Sequence, residues 1–236
     1  MIEKNQFLKN GFITIDNIYT SEEVEKLINQ IKLANTDKDT FRKSSDLFAI
    51  RQFLKECPST LGIILNDKLK KILTELFSKN YFAVKSIYFD KPASSNWYVS
   101  YHQDLTISVD KKVELPGFSL WTVKQNQFAV QPPTEIMENI VTVRIHLDNT
   151  DEENGALRVI PGSHLKSIYR PESINWANES EVSCNVRKGG IMLMKPLLLH
   201  SSGRTTNKKQ RRVIHIEFSN MDLPEGLNWS EKIYLN

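Results

Sequence analysis

The 236 residues carry 31 Lys and Arg against 28 Asp and Glu, a formal net charge of +3, with 40% hydrophobic and 25% charged residues. That balance is ordinary for a soluble globular chain and too weakly basic to argue for nucleic acid. No apolar run approaches the ~20 residues that span a bilayer. Met1-Ile2-Glu3-Lys4-Asn5 has no apolar secretory core, and Cys57 and Cys184 are too few for a disulfide framework or a zinc cluster. The expectation is one domain, residues 1–236, in a reducing cytoplasmic setting, with a small-molecule partner, neither nucleic acid nor membrane, and an open oligomeric state.

In chain order, Gly11-Phe12-Ile13-Thr14-Ile15 reads as a short strand. Thr20-Ser21-Glu22-Glu23 then forms a capping box, with Thr20 and Glu23 satisfying each other's backbone donors. Behind it Val24, Leu27, Ile28 and Ile31 recur at helical spacing, as do Leu65, Leu69, Ile72, Leu73 and Leu76, so each helix buries one face. From Tyr81 the texture changes to short runs rich in β-branched and aromatic residues: Phe82–Phe89, Trp97–His102, Ile140–Leu147, Ala156–Ile160, Gly190–Met194 and Arg211–Phe218. Turn residues punctuate them, among them Asp90-Lys91-Pro92, Glu153-Asn154-Gly155 and Pro161-Gly162.

Helices followed by many strands predict a mainly β protein with flanking helices, a sandwich or jelly roll. Residues 1–80 form its helix-rich part and 81–220 the barrel. Leu105–Asn139 and Leu165–Cys184 lack strong periodicity and read as long loops that wall or cover a pocket.

The chemistry gathers on a few polar residues. Side chains at i and i+2 of an extended segment share a face, so His102 and Asp104 of His102-Gln103-Asp104 point together. A second, distant His such as His200 would complete a two-His, one-carboxylate face with open coordination positions, the arrangement of non-haem Fe(II) oxygenases. Arg211 and Arg212 open the strand Val213-Ile214-His215-Ile216-Glu217-Phe218. By alternation Ile214, Ile216 and Phe218 turn to the helices, while Arg211, Val213, His215 and Glu217 line the barrel. A guanidinium there clamps a carboxylate through two parallel hydrogen bonds. Parity leans to Arg211 over Arg212, and it leaves His215 as a rival third ligand. His146 reads as a strand residue with a packed core or a surface role. His164, in a tight turn, reads as a backbone hydrogen-bonding residue.

Taken together, the chain resembles the phytanoyl-CoA dioxygenase family of Fe(II)/2-oxoglutarate-dependent oxygenases. The resemblance rests on Gly11-Phe12 and the capped helix, Phe89-Asp90-Lys91, the block from Trp97 to Ile107, and Gln131-Pro132-Pro133. It continues through Val143 to Asp148, Asn154 to His164, His200-Ser201-Ser202 and Arg211 to Phe218. It implies a double-stranded β-helix, a cupin-like jelly-roll barrel, with His102, Asp104 and His200 as metal ligands for Fe(II) and with 2-oxoglutarate and O2 as co-substrates. It selects Arg211, eleven positions after His200, for the 5-carboxylate, joined by Ser202. Trp121 is implied as a pocket residue, and Lys85, on the strand before the His-x-Asp pair, as a weaker one. The carboxylate of Asp104 implies hydroxylation, because halogenating relatives carry a small residue there.

A cupin-like isomerase or lyase using Zn or Mn, or a barrel that binds without turnover, would share the fold. Trp121, Phe118 and Phe128 suggest a medium-sized organic substrate with an apolar portion.

Overall fold

A computed structural model describes residues 4–34, 38–44, 48–77, 80–95, 97–124 and 127–234. The N-terminal part contains α1 (Lys4–Asn10), β1 (Phe12–Ile15), α2 (Ser21–Lys32), β2 (Phe41–Lys43), β3 (Phe48–Arg51), α3 (Phe53–Glu56), α4 (Leu61–Ile64) and α5 (Asp67–Phe77). Next come β4 (Phe82–Lys91), β5 (Val99–His102), β6 (Ile107–Val109), β7 (Ser119–Lys124), β8 (Gln127–Gln131) and α6 (Thr134–Glu138). The chain then forms β9 (Val141–His146), β10 (Leu157–Val159), β11 (Val182–Cys184), β12 (Ile191–Met194), β13 (His200–Ser202), β14 (Arg211–Ser219) and β15 (Ile233–Tyr234).

The major sheet runs β1-β12-β9-β14-β4-β3-β2, with β15 added beside β4. A smaller sheet, β11-β10-β13-β5, faces it, and β6-β8-β7 form a third. This is the mainly β jelly-roll architecture expected from the sequence, built as two facing sheets, with helices on the outer side of the larger one.

Alternation along three neighbouring strands creates the layers. Val143 and Ile145 of β9, Ile191 and Leu193 of β12, and Ile214, Ile216 and Phe218 of β14 join one cluster with Val24, Leu27, Leu69 and Leu73 of the helices. The intervening residues face the other way: Met192 and Met194 meet Leu157, Val159 and Cys184 of the smaller sheet. The Thr20–Glu23 capping box is present and closes the start of α2.

Three readings need correction. The stripe from Leu65 to Leu76 is not one helix: Leu65 ends α4, and Asn66 then caps α5, its Oδ1 accepting from the Leu69 amide at 3.0 Å. Besides the expected β1, residues 1–80 also contribute β2 and β3 to the major sheet. Within 105–139 the chain forms β6, β7, β8 and α6. Strands of three residues carry too little period to register in a sequence, and β6 pairs with β8 across the whole of β7. Their buried side chains, with Phe82, Trp229 and Leu227, make a second core cluster. Among the described residues no helix is long and apolar enough to cross a membrane.

Candidate active site

The smaller sheet brings the two histidines together. β13 pairs antiparallel with β5 so that His200 lies opposite His102, and the ring centroids are 4.2 Å apart. Asp104 follows β5, its amide donating to the Pro196 carbonyl at 2.9 Å. The residue between them holds the segment in place from the opposite face. Gln103 Nε2 donates to the carbonyls of Ser167 (2.8 Å) and Leu197 (2.6 Å), and its Oε1 accepts from the Tyr169 amide (2.8 Å). No composition or spacing signal marked Gln103; its role follows from strand parity once the His-x-Asp pair is placed.

The imidazoles have a defined orientation. His102 Nδ1 lies 2.9 Å from the Ser100 carbonyl and His200 Nδ1 2.8 Å from the Leu198 carbonyl. A carbonyl only accepts, so each Nδ1 carries a proton, which in the neutral tautomer leaves Nε2 as the ligating atom. Both Nε2 atoms sit 3.9 Å from Asp104, one from each carboxylate oxygen. That gap is too long for a hydrogen bond and short enough for two bonds of about 2.1 Å to a shared ion. All three ligand atoms lie within 4.8 Å of one another. Burial pushes His200 down to about 4, so it is neutral at pH 7, the form that ligates metal. Burial alone would raise the Asp104 carboxyl, but His200, Lys85, His215 and His102 together outweigh it and hold it well below the usual range. Two imidazole Nε2 donors and one carboxylate therefore fit a divalent ion with open positions.

His215 belongs to a second grouping, with Asp104 and Glu217. Both its nitrogens are engaged, Nδ1 with Arg144 Nη1 at 3.1 Å and Nε2 with Glu217 at 3.2 Å. The Lys85 ammonium lies 2.7 Å from Glu217. Lys85 thus already neutralises the carboxylate of Glu217, and Arg144 occupies one His215 nitrogen, which disfavours this grouping. His146 Nδ1 bonds Thr150 Oγ1 at 2.8 Å, and His164 Nε2 meets the Leu8 carbonyl at 3.0 Å, both away from the triad.

A cavity of about 240 Å³ opens beside the triad, walled by Ile87, Phe89, Trp97, Val99 and Leu157 and reached by Lys85, Arg144, Ser202, Arg211 and His215. Arg211 is buried at one end; its Nη1 donates to the Gly155 carbonyl and to Ser202 Oγ (3.3 Å), while Ser202 Oγ donates to the same carbonyl at 2.9 Å. Burial and neighbouring Arg144 lower the guanidinium to about 9. Gly155 has φ +85°, and a Cβ there would fall 2.7 Å from the Gly203 carbonyl and 2.9 Å from Lys91 Nζ, so only glycine suits the position. Arg212 is turned out of the cavity, its fork spanning Asp148 at 2.9 and 2.6 Å.

The structure places Trp121 elsewhere: with Phe118 and Phe128 it packs, partly buried, against the second core cluster and not on this cavity wall. Trp97 supplies the indole of the wall instead. Sequence reasoning also missed Arg144, whose burial on β9 depends on which neighbours the sheet gives it.

A family model described as Phytanoyl-CoA dioxygenase (PhyH) matches residues 7–213. A probable alpha-ketoglutarate-dependent hypophosphite dioxygenase of Stutzerimonas stutzeri is 22% identical over 93% of this chain and 78% of that protein. Among solved structures, EctD from S. alaskensis with bound Fe superposes with a TM-score of 0.72 at 17% identity, covering 93% of this chain and 76% of that one. HygX from Streptomyces hygroscopicus, with nickel, 2-oxoglutarate and hygromycin B bound, gives 0.65 at 14% identity, over 92% and 87%.

Proposed function

The chain belongs to the phytanoyl-CoA dioxygenase family and is a non-haem Fe(II)/2-oxoglutarate-dependent dioxygenase; from that premise we propose which residues do the work and what they act upon. His102, Asp104 and His200 hold the iron. Arg211, braced by Ser202 and Gly155, receives the 5-carboxylate of 2-oxoglutarate, and Lys85 sets the field at Asp104 through its pair with Glu217. Residues 1–236 act as one catalytic domain, the helices bracing the major sheet from outside. The primary substrate is a small molecule, hydroxylated at an unactivated C–H.

When bound, Fe(II) supplies O2 activation coupled to decarboxylation of 2-oxoglutarate to succinate and CO2. The chain's part is positioning. The carbonyls of Ser100 and Leu198 keep both rings in the ligating tautomer, and Gln103 keeps the Asp104 segment in register with β13. Arg211 at the far end of the cavity sets the direction in which a dicarboxylate enters, keto acid end toward the triad. Trp97, Phe89, Val99 and Leu157 exclude water from the reacting centre. Asp104 retains its carboxylate, so the coordination face has no vacancy for a halide, which supports hydroxylation.

The substrate class rests on the cavity. Its modest volume and the removal of Trp121, Phe118 and Phe128 from its wall argue against the medium-sized apolar molecule suggested by the sequence. A small oxyanion is the second candidate class, supported by the hypophosphite named for one relative; the bond oxidised would then be P–H instead of C–H.

The carrying observation is the convergence of two Nε2 lone pairs and the Asp104 carboxylate within 4.8 Å. Anaerobic addition of Fe(II) and 2-oxoglutarate is expected to produce the metal-to-ligand charge-transfer band of a chelated keto acid, absent in His102→Ala. A wild-type protein without the band, or an unchanged band in the variant, rejects this ligand set.

A further inference from the structure

Arg144 lies on β9 directly across from His215 of β14 and lines the same cavity as the triad and Arg211. It is only 8% exposed. One nitrogen, Nη1, donates to His215 Nδ1, while its Nε is buried without any hydrogen-bond partner. Among the described residues no carboxylate lies within ion-pair distance of it. Glu217 is taken by Lys85 and His215, and Asp104 belongs to the metal face. Asp104 acts on Arg144 only through space, and a buried guanidinium without a contacting counter-charge is costly and calls for a partner.

Counting charges shows that the cofactors do not provide one. Lys85 and Glu217 cancel. Asp104 offsets one of the two charges of a divalent ion. A dianionic 2-oxoglutarate offsets the other and Arg211. Arg144 remains, and Lys91, whose ammonium holds the Gly203 carbonyl beside Arg211, only adds to the positive excess. The two guanidiniums are near enough to repel each other, but they reach the cavity from different strand positions. His215, the cross-strand neighbour of Arg144, is four residues from Arg211 along β14, roughly 13 Å of extended chain. It is also within the 4.8 Å grouping that includes Asp104. Arg144 therefore serves the metal end of the cavity, and Arg211 the far end.

We propose that Arg144 recognises an anionic primary substrate, a small molecule bearing a carboxylate or phosphorus oxyanion group, and aligns it against the metal face. This rests on the oxygenase reading above and narrows it: the enzyme discriminates its substrate by charge. The cavity of about 240 Å³ must also hold the co-substrate, which keeps the substrate small.

The test uses the full chain loaded anaerobically with Fe(II) and 2-oxoglutarate, titrated with hypophosphite, with butyrate and with butyramide, the neutral counterpart of butyrate. Binding is read by calorimetry and by perturbation of the charge-transfer band. At least one anion is expected to bind about tenfold or more tightly than butyramide, the worth of one charge-assisted hydrogen bond. Arg144→Gln should abolish that preference while changing 2-oxoglutarate affinity less than about threefold, and Arg144→Lys should restore part of it. Binding of both anions no tighter than that of butyramide by the wild type, or failure of both to bind, overturns the proposal without needing any variant. So does an Arg144→Gln protein that loses 2-oxoglutarate instead, since Arg144 would then be holding the co-substrate. Absence of the band itself in the wild type removes the oxygenase reading first, and this inference with it.

Discussion

Gly155 shows how one residue can control a distant ligand. Its carbonyl accepts from both Arg211 and Ser202, and its φ of +85° leaves no room for a Cβ beside the Gly203 carbonyl. Gly155→Ala combines left-handed strain of about 1–2 kcal/mol with displacement of the carbonyl that aims the guanidinium. The expected outcome is a 2-oxoglutarate dissociation constant raised about tenfold or more, with metal binding by the triad unchanged, measured by anaerobic titration and calorimetry. Equal weakening of metal and co-substrate would show that Gly155 supports the barrel as a whole. The same scale separates Arg211 from Arg212. Adjacent residues on a strand face opposite ways, so one guanidinium enters the cavity and the other meets Asp148.

At the scale of elements, the segment between β10 and β12 is shaped by a carboxylate. Glu179 accepts from Lys166 Nζ (2.6 Å), Tyr169 Oη (2.5 Å) and the Asn175 amide (2.9 Å). The same segment supplies Ser167 and Tyr169 to Gln103, so it connects to the His-x-Asp strand. Lys166 and Tyr169, against a smaller opposing effect of burial, lower Glu179 from 4.5 to about 2. A depressed carboxyl contributes order that is complete above its unfolded value and lost as pH falls through the folded one. Amide-exchange protection across residues 165–184 should hold at neutral pH and decline between about 4.5 and 2. Glu179→Gln should show the low-pH pattern at pH 7. Protection that is flat across that window would mean apolar contacts alone hold the loop.

For the whole molecule, the ligands are divided between two sheets. His102 and His200 stand on the smaller sheet, whereas Arg211, Arg144 and His215 stand on the major one. A metal alone binds one sheet; a metal with 2-oxoglutarate spans both. At a hundredfold excess over its dissociation constant a ligand adds about 2.7 kcal/mol, roughly 5–10 °C for a chain of this size. The melting temperature should therefore rise in two steps, with Fe(II) and again with 2-oxoglutarate under anaerobic conditions. Arg211→Gln should keep the first step and lose the second. A single step with metal, insensitive to 2-oxoglutarate, would place the co-substrate outside the inter-sheet cavity.

What the sequence determined on its own is whatever depends on local period and local chemistry. The alternation of Ile214, Ile216 and Phe218 against Arg211 and His215 is a property of any extended chain. The Thr20–Glu23 box closes its helix within four residues, and His102 and Asp104 share a face by geometry alone. Tertiary structure decided whatever depends on partners far apart in the chain: the pairing that sets His200 opposite His102, the burial that leaves Arg144 without a contacting carboxylate, and the packing of Trp121 against a core cluster instead of on the cavity wall. Strands as short as β6 exist only because β8 lies beside them. Hydrogen bonds across a sheet and the cost of burying charge are set by neighbours that no window of sequence contains, so those features became readable only in the folded chain.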